Sequence, residues 1–497
     1  MKLSDKTLRD WLALLLGVAL FILVLFWNPF GAEAKAVKVL AIAALMITWW
    51  VTEALPMPVV ALIPLILFPF MGIAPMKDVA ASYGDSVLFL FMGGFMIGLA
   101  IEKWNLHKRI ALSIVNITGT SGDRIVLGFT LATGFISMWL SNTATTMMMY
   151  PIAASVIHVV RENHKGNANI ANFSLAIMLA IAYASNFGGI STIIGTPPNV
   201  AFVSYIQDKY HYTVQFIDWM IICTPLAILL LFTFYFVTTK VLYKNHLSSD
   251  IATQQHIKNE LKELGPLSGA EKRVLIVFVC TALMWILKDI LLNPFLALPS
   301  IVNIFGSLKL DDTIIALIGA VSLFVLPVGN KETPGKRILD WSDTSKMAWG
   351  ILLLFGGGLA LASALQNAGL IGQLGKWIAS HAGTNVFLLV VMITFISLFI
   401  SEVMSNIAQV IVFSPVIAGI ADATGLNPLM LGIPMTLAAS CASMMPMGTP
   451  PNAIVFASGH IKLKHMIKAG FVMNIVALIL IILFCWFLVP LLIPALK

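Results

Sequence analysis

Long apolar segments dominate the sequence, and they constrain its fold more than any other feature. A membrane-spanning helix needs about 20 mostly apolar residues. Segments near or above that length lie at 11–31, 37–54, 57–74, 87–104, 171–206, 214–240, 273–293, 313–329, 347–366, 428–460 and 469–495. With 59% hydrophobic and 11% charged residues, the chain could not cover itself with polar surface in water. We therefore predict an all-α polytopic membrane protein, not a soluble enzyme or a nucleic-acid binder.

Two further apolar stretches, 124–160 and 385–421, are interrupted halfway by polar residues. Each could be one long helix, or a re-entrant hairpin that enters and leaves the membrane on one side. If the amino terminus is cytoplasmic and both stretches are hairpins, most lysines and arginines fall on the cytoplasmic side. A crossing at either stretch would reverse every later loop. The charges thus predict eleven transmembrane helices plus two re-entrant hairpins, with an extracellular carboxyl terminus.

The same interpretation divides the chain into four segments. Residues 1–36 form an N-terminal transmembrane helix, because the apolar run is too long for a signal peptide. Residues 37–243 and 273–497 are two halves with one hairpin each. The polar stretch 244–272 is predicted to be a cytoplasmic linker.

Short motifs recur in both halves and indicate an internal repeat. Four residues of the first interrupted stretch recur in the second at a constant offset of 264, pairing Ser137, Ser141, Asn142 and Pro151 with Ser401, Ser405, Asn406 and Pro415. The block Gly-Thr-Pro-Pro-Asn at 195–199 recurs letter for letter at 448–452. Under the predicted topology the two hairpins open to opposite sides, so the repeats are inverted. Inverted repeats with discontinuous helices are typical of secondary transporters, whose binding site lies near the membrane midplane.

The duplicated motifs supply hydroxyl and amide groups but no basic side chain. Proline starts helices well and disfavours helix in the residue before it, so Thr-Pro-Pro-Asn should break the long segments in mid-membrane. Helix N-termini with such donors bind carboxylates. Free carbonyls and hydroxyls at the preceding helix ends fit Na⁺. We therefore expect a site for a small anion, with Na⁺ as a possible coupling ion and no other cofactor.

Glu402 lies beside the second hairpin tip and leaves two interpretations open. An intramembrane acid is a functional hypothesis, and a titrating Glu402 would suit a channel or a cation/proton antiporter. Alternatively, Glu402 pairs with a polar neighbour and fixes the hairpin. An intramembrane hydrolase using Ser141 or Ser405 lacks a positioned His or Lys base.

Ser141-Asn142-Thr143 and Ser405-Asn406, each followed by Thr-Pro-Pro-Asn, resemble the divalent anion–sodium symporter (DASS) family over nearly the whole chain. That family includes sodium–dicarboxylate and sodium–citrate carriers and dicarboxylate exchangers. The resemblance implies a homodimer in which a transport domain moves like an elevator against a scaffold. It also implies interfacial amphipathic helices near 106–118 and 368–380.

The resemblance further implies which residues form the sites. The expected substrate residues are Ser141, Asn142, Thr143, Thr196, Ser405, Asn406, Thr449 and Pro450. The first sodium site falls on Ser137, Ser141, Asn142 and Gly195. The second falls on Ser401, Met404, Asn406 and Gly448.

The second tip departs from the family pattern at Ile407, where the family has Thr. Loss of one polar partner costs about 1 kcal/mol, which weakens a site without deleting it. The departure favours exchange of C4–C5 dicarboxylates (succinate, malate, fumarate, 2-oxoglutarate) across the cell membrane. Na⁺-coupled symport of di- or tricarboxylates is the alternative.

Overall fold

The computed structural model of the protein describes residues 5–28, 33–163, 169–249, 251–292, 310–329, 335–373 and 385–492. These residues fold into α-helices joined by short turns. The described ranges contain no β-strand beyond an isolated bridge between Pro327 and Arg337. The fold is therefore all-α, as the apolar segments predict.

Twelve helices precede the polar linker. They are α1 (Asp5–Trp27), α2 (Ala34–Thr52), α3 (Met57–Val60), α4 (Ile63–Phe70), α5 (Met76–Ala81), α6 (Ser86–Lys103), α7 (Leu106–Thr118), α8 (Gly122–Ser137), α9 (Asn142–Asn163), α10 (Asn169–Gly189), α11 (Pro197–Tyr210) and α12 (Phe216–Phe236). A π-helical turn over Val237–Leu242 extends α12.

The linker and the second half contribute nine more helices within the described ranges. They are α13 (Ile251–Glu263), α14 (Gly269–Leu292), α15 (Asp312–Val325), α16 (Trp349–Asn367), α17 (Val386–Ile400), α18 (Asn406–Thr424), α19 (Pro428–Ser440), α20 (Pro450–Ala457) and α21 (Leu463–Leu492). Eight helical segments of the described chain are long and apolar enough to cross a membrane. Shorter apolar helices accompany them, among them α15, α17 and α19. The chain is a multi-pass membrane protein.

Both long apolar segments that carry Thr-Pro-Pro-Asn are broken at that motif. Segment 171–206 becomes α10 and α11, and 428–460 becomes α19 and α20. Each second helix starts on the prolines, and the threonine before it is extended, with φ −140° and ψ 137° at Thr196 and φ −140° and ψ 147° at Thr449. Proline disfavours the helical region in the preceding residue, so the same four letters break both helices in the same way.

Each interrupted stretch folds as two helices joined by a turn. In 124–160, α8 ends at Ser137 and α9 begins at Asn142. In 385–421, α17 ends at Ile400 and α18 begins at Asn406. The two turns supply the tips at which the duplicated serine and asparagine lie.

Amphipathic helices are expected at two further places, near 106–118 and 368–380. The helix expected near 106–118 is observed as α7, and it packs against α8. Of the helix expected over 368–380, only 370–373 is described as helical, and 374–380 lies outside the described residues. The linker 244–272 contains the amphipathic helix α13, which buries Ile257 and packs on α7 and α9.

Helix α10 occupies the centre of the molecule. It packs on α8, α9, α12 and α20, and almost all of its residues are buried. Since protein surrounds α10 on all sides, polar groups near its carboxyl end are shielded from lipid. Irregular backbone is tolerated at membrane depth only in such surroundings.

Candidate functional site

Ser137, Asn142 and the end of α10 meet at the first hairpin tip. Ser137 is fully buried, and its Oγ lies 2.8 Å from Asn142 Oδ1 and 2.7 Å from the Ser185 carbonyl oxygen. Ser137 closes α8 and Asn142 opens α9, so the pair bridges the two arms of the hairpin.

The second tip repeats this arrangement. Ser401 is fully buried, and its Oγ lies 2.9 Å from Asn406 Oδ1 and 2.7 Å from the carbonyl oxygen of Ala439 on α19. In both halves a tip serine therefore joins the tip asparagine to the end of a broken helix. The sequence repeat is also a repeat of hydrogen bonds.

The broken segments show a second equivalence. The amide of Asn199 donates to the Thr192 carbonyl at 2.8 Å, and that of Asn452 donates to the Met445 carbonyl at 3.1 Å. Each asparagine thus bonds the carbonyl of the residue seven positions before it, at the break of its helix. This role explains why asparagine ends both Thr-Pro-Pro-Asn blocks.

Asn186 joins the two repeats. The amide of Asn142 donates to Asn186 Oδ1 at 3.3 Å and to Thr196 Oγ1 at 3.4 Å. The amide of Asn186 in turn donates to Thr449 Oγ1 at 3.1 Å. One chain of polar contacts thus runs from the first hairpin tip through α10 to the broken segment of the second repeat.

Sequence reasoning missed Asn186, since it lies outside the duplicated motifs. The available signal was a polar Ser185-Asn186 pair near the end of an otherwise apolar helix. Both side chains are fully buried. Buried amides without a structural partner are costly, so this pair pointed to a polar neighbour.

The oxygens around Asn142 form a compact cluster. Its Oδ1 lies within 2.8 Å of Ser137 Oγ, 3.0 Å of the Ser185 carbonyl and 3.2 Å of the Gly195 carbonyl. Carbonyl oxygens carry no proton. In this amide orientation the Asn142 Oδ1 therefore faces two other hydrogen-bond acceptors. Reversal of the amide turns its nitrogen toward these groups and satisfies the cluster.

Glycine is required where the broken segment approaches the first tip. A Cβ on Gly195 would lie 2.4 Å from the Gly189 carbonyl oxygen and 2.9 Å from that of Ser137. On Gly448, the equivalent glycine, it would lie 3.2 Å from the Ser401 carbonyl oxygen. The first repeat is therefore packed more tightly at this point than the second.

Glu402 is held by a set of hydrogen-bond donors. Its carboxylate accepts the backbone N–H groups of 443–445 at 2.9 to 3.0 Å, and the amide of Asn474 on α21 at 2.6 Å. Glu402 is 3% exposed. Successive N–H groups of this kind form an anion-binding concavity. The contacts favour the interpretation in which Glu402 fixes the second tip against its broken segment.

The first repeat makes the corresponding link with different residues. Met138 stands at the position of Glu402, and Thr192 at the position of Met445. Thr192 Oγ1 donates to the Met138 carbonyl at 2.5 Å. The polar side chain thus lies on the broken segment in the first repeat and on the hairpin tip in the second.

The remaining expected site residues differ in burial. Thr196 and Thr449 are buried, whereas Ser141, Thr143, Ser405, Asn406 and Ile407 are half-buried, Met404 is buried and Pro450 is exposed. Ser141 Oγ accepts the N–H of Ala144 at 3.3 Å. Among the described residues, no side-chain hydrogen bond joins Thr143 or Ser405 to the network. Hydrogen bonds therefore join Ser137, Asn142, Thr196 and Thr449 through Asn186 into one network, and join Ser401 with Asn406 at the second tip.

Buried, uncharged donors and acceptors at duplicated breaks in membrane helices are typical of secondary transporters, and this chain has them. Over residues 8–493 the chain matches the family described as the sodium:sulfate symporter transmembrane region. The protein belongs to this family, which is the DASS family that its motifs resemble, and it is a transporter and not an enzyme.

Several similar proteins come from staphylococci. The sodium-dependent dicarboxylate transporter SdcS of Staphylococcus saprophyticus is 41% identical over 481 residues, covering 96% of this chain and 91% of the relative. SdcS of Staphylococcus aureus strain USA300 is 39% identical over 483 residues, with the same coverage of both chains.

Solved transporters share the fold at low sequence identity. MtrF of Neisseria gonorrhoeae, an antimetabolite efflux pump, gives a TM-score of 0.55 at 13% identity and covers 97% of both chains. The YdaH transporter of Alcanivorax borkumensis gives 0.53 at 13% identity, covering 83% of this chain and 87% of its own. At this identity the likeness concerns the fold alone.

Proposed function

We propose that the protein is a secondary active transporter of C4–C5 dicarboxylates, coupled to Na⁺, in the bacterial plasma membrane. The observation that carries the proposal is the Asn142–Asn186–Thr449 chain, which joins the first hairpin tip to the Thr-Pro-Pro-Asn block of the second repeat. The groups there are hydroxyls, amides and helix starts, which bind a carboxylate without the fixed charge of a lysine or arginine. The staphylococcal relatives are sodium-dependent dicarboxylate transporters, which supports a dicarboxylate as the substrate.

Coupling to Na⁺ is supported by the oxygen cluster around Asn142. Ser137 Oγ and the Gly195 carbonyl, both members of the expected first sodium site, lie together with the Ser185 carbonyl around the Asn142 side chain. Hard oxygen ligands of this kind suit an alkali cation, and discontinuous helices of other carriers use them for Na⁺. A cation would also offset part of the charge of a dianion in a low-dielectric site.

Exchange of one dicarboxylate for another is a second candidate. Ile407 takes the third place of the second tip and is half-buried, so that tip has one hydroxyl fewer than the first, where Thr143 stands. A weakened second cation site would loosen the link between Na⁺ binding and movement. Exchange requires only that the empty carrier rarely crosses.

The same proposal includes the mechanism and topology implied by the family. Eleven helices cross the membrane, the amino terminus is cytoplasmic and the carboxyl terminus is extracellular. The expected substrate residues bind the dicarboxylate, and Ser401, Asn406 and Gly448 belong to a second cation site. A homodimeric scaffold would hold a moving domain that carries both hairpins and the broken helices.

Uptake into proteoliposomes tests the proposal. Vesicles free of internal substrate should accumulate labelled succinate when an inward Na⁺ gradient is imposed, and not when choline replaces Na⁺. Uptake that needs internal dicarboxylate but no Na⁺ gradient would support exchange instead. No uptake of any di- or tricarboxylate under either condition would overturn both. Current without saturation, or pH-driven cation flux unaffected by carboxylates, would favour a channel or antiporter.

A further inference from the structure

A cleft of about 80 Å³ reaches the first hairpin tip from one end of the molecule. Its lining includes Gly98 and Glu102 of α6, Trp139 and Ser141 of the tip, and Lys346 and Met347 in front of α16. Ser141 is one of the expected substrate residues. The cleft therefore connects the proposed site with the surface next to the carboxyl end of α6.

The mouth of the cleft lies at the basic end of the protein. Lys103 at the end of α6, together with Lys108 and Arg109 on α7, belongs to the side that the charge distribution assigns to the cytoplasm. Lys103 Nζ lies 2.6 Å from the carboxylate of Asp343 and 3.7 Å from that of Asp340. None of these three residues lines the cleft.

Lys346 and Glu102 are the two ionisable residues among the described lining of the cleft. Both are exposed, and neither forms an ion pair within 4.0 Å with another described residue. A dianion in the cleft is attracted by Lys346 and repelled by Glu102. Because the substrate carries two charges, its electrostatic interaction energy with each residue is about twice that of a monoanion.

Trp139 lines the same cleft. Its ring packs edge-on against Phe278 with centroids 5.0 Å apart, while its buried Nε1 has no acceptor among the described residues. The ring of Trp139 forms part of the wall of the cleft next to Ser141.

We propose that this cleft is the cytoplasmic access route of the dicarboxylate, and that Lys346 and Glu102 set the apparent affinity on that side with opposite signs. The inference rests on the proposed function and adds the residues that govern it on one face of the membrane. Lys346 strengthens and Glu102 weakens the approach of the dianion, which still binds at the hairpin tips.

Substrate counterflow measured from each face tests the inference. Inside-out vesicles present the cytoplasmic face and intact cells the outer face, with equal Na⁺ on both sides. For the cytoplasmic face, Lys346→Gln should raise the half-saturating succinate concentration about threefold and Glu102→Gln should lower it by a similar factor. Raising the ionic strength with choline chloride should shrink both shifts. Values for the outer face should stay at wild-type level.

Lys464→Gln is the matched control, because Lys464 is an exposed lysine near the start of α21 that does not line the cleft. It should leave both faces unchanged. Wild-type values for both cleft variants, shifts in the same direction, or equal shifts at both faces would overturn the access route while leaving dicarboxylate transport intact. A wild-type protein that transports no dicarboxylate would overturn the proposed function as well.

Thiol labelling provides a readout independent of affinity. Ala348 lines the cleft and is exposed, and Cys280 is the exposed native cysteine. In a Cys280→Ser background, Ala348→Cys should react with a charged thiol reagent from the cytoplasmic face and lose transport. Succinate should slow that reaction. Reaction only from the outer face would contradict the assignment.

Discussion

The amide of Asn186 donates to Thr449 Oγ1 at 3.1 Å, and this hydrogen bond crosses from the first repeat to the second. Asn186 also receives the amide of Asn142 at 3.3 Å. The first hairpin tip and the second broken segment are therefore neighbours, although 307 residues separate Asn142 from Thr449 in the chain. A substitution at either residue of this contact should therefore alter the effect of a substitution at the other.

A double-mutant cycle on this pair tests the link between the repeats. Asn186→Ala and Thr449→Val each remove one partner, so the second substitution should cost less in the presence of the first. We expect a coupling free energy of about 1 kcal/mol. Succinate affinity and thermal stability of the four proteins measure it. Strict additivity in both quantities would show that the two side chains act separately.

Asn142→Ala and Asn406→Ala should each abolish transport while the protein stays folded. Asn142 contacts Ser137, Asn186 and Thr196, so its loss removes the centre of the first tip. Succinate uptake and the elution profile in detergent are the measurements. Asn259→Ala, on the exposed face of α13, is the control and should transport normally. Near-normal flux in either tip variant would contradict the site.

Alanine at the two equivalent glycines should have unequal effects. Gly195→Ala places a Cβ 2.4 Å from the Gly189 carbonyl oxygen of the broken segment and 2.9 Å from the Ser137 carbonyl oxygen of the tip, so the backbone must shift at both contacts. We expect at least about a tenfold loss of uptake, the equivalent of 1.4 kcal/mol. Gly448→Ala, whose nearest contact is 3.2 Å, should be milder. Gly84→Ala meets no atom within 4 Å and serves as the control. Equal losses at 195 and 448 would refute the packing argument.

Glu402→Gln should destabilise the protein. The carboxylate accepts three successive backbone N–H groups, and a glutamine amide would turn one NH₂ toward donors. Loss of hydrogen bonds to a buried charge costs about 2 to 3 kcal/mol. The midpoint of thermal unfolding in detergent should fall by several degrees. The exposed Glu263→Gln should leave the midpoint unchanged. If Glu402→Gln keeps wild-type stability but alters the pH dependence of transport, the titrating role would stand instead.

The sequence predicted the features that follow from local chemistry. Apolar length predicted the helical membrane fold, and proline after threonine predicted the breaks at 196 and 449. The recurrence of Ser137 and Asn142 as Ser401 and Asn406 predicted two equivalent tips, whose hydrogen bonds the structure shows. The helix at 106–118 followed from the family resemblance.

Other features depend on tertiary contacts that no local pattern encodes. Asn186 acquires its importance only because α10 passes between the two repeats. The helix α13 within 244–272 is polar enough to be taken for a loop, and it forms where α7 and α9 offer a surface. For Glu402 the sequence left two roles open, because its donors come from residues 443–445, about forty positions later.

The reciprocal links at the two tips limit how the halves can be recombined. Thr192 Oγ1 donates a hydrogen bond to the Met138 carbonyl, whereas the Glu402 carboxylate accepts hydrogen bonds from the backbone N–H groups of 443–445. A chimera with the second tip in the first half would contain both Thr192 and Glu402. The reverse chimera would contain neither of these linking side chains. A functional symmetric version of this carrier therefore requires each tip to be transplanted together with its own broken segment, as a single cassette.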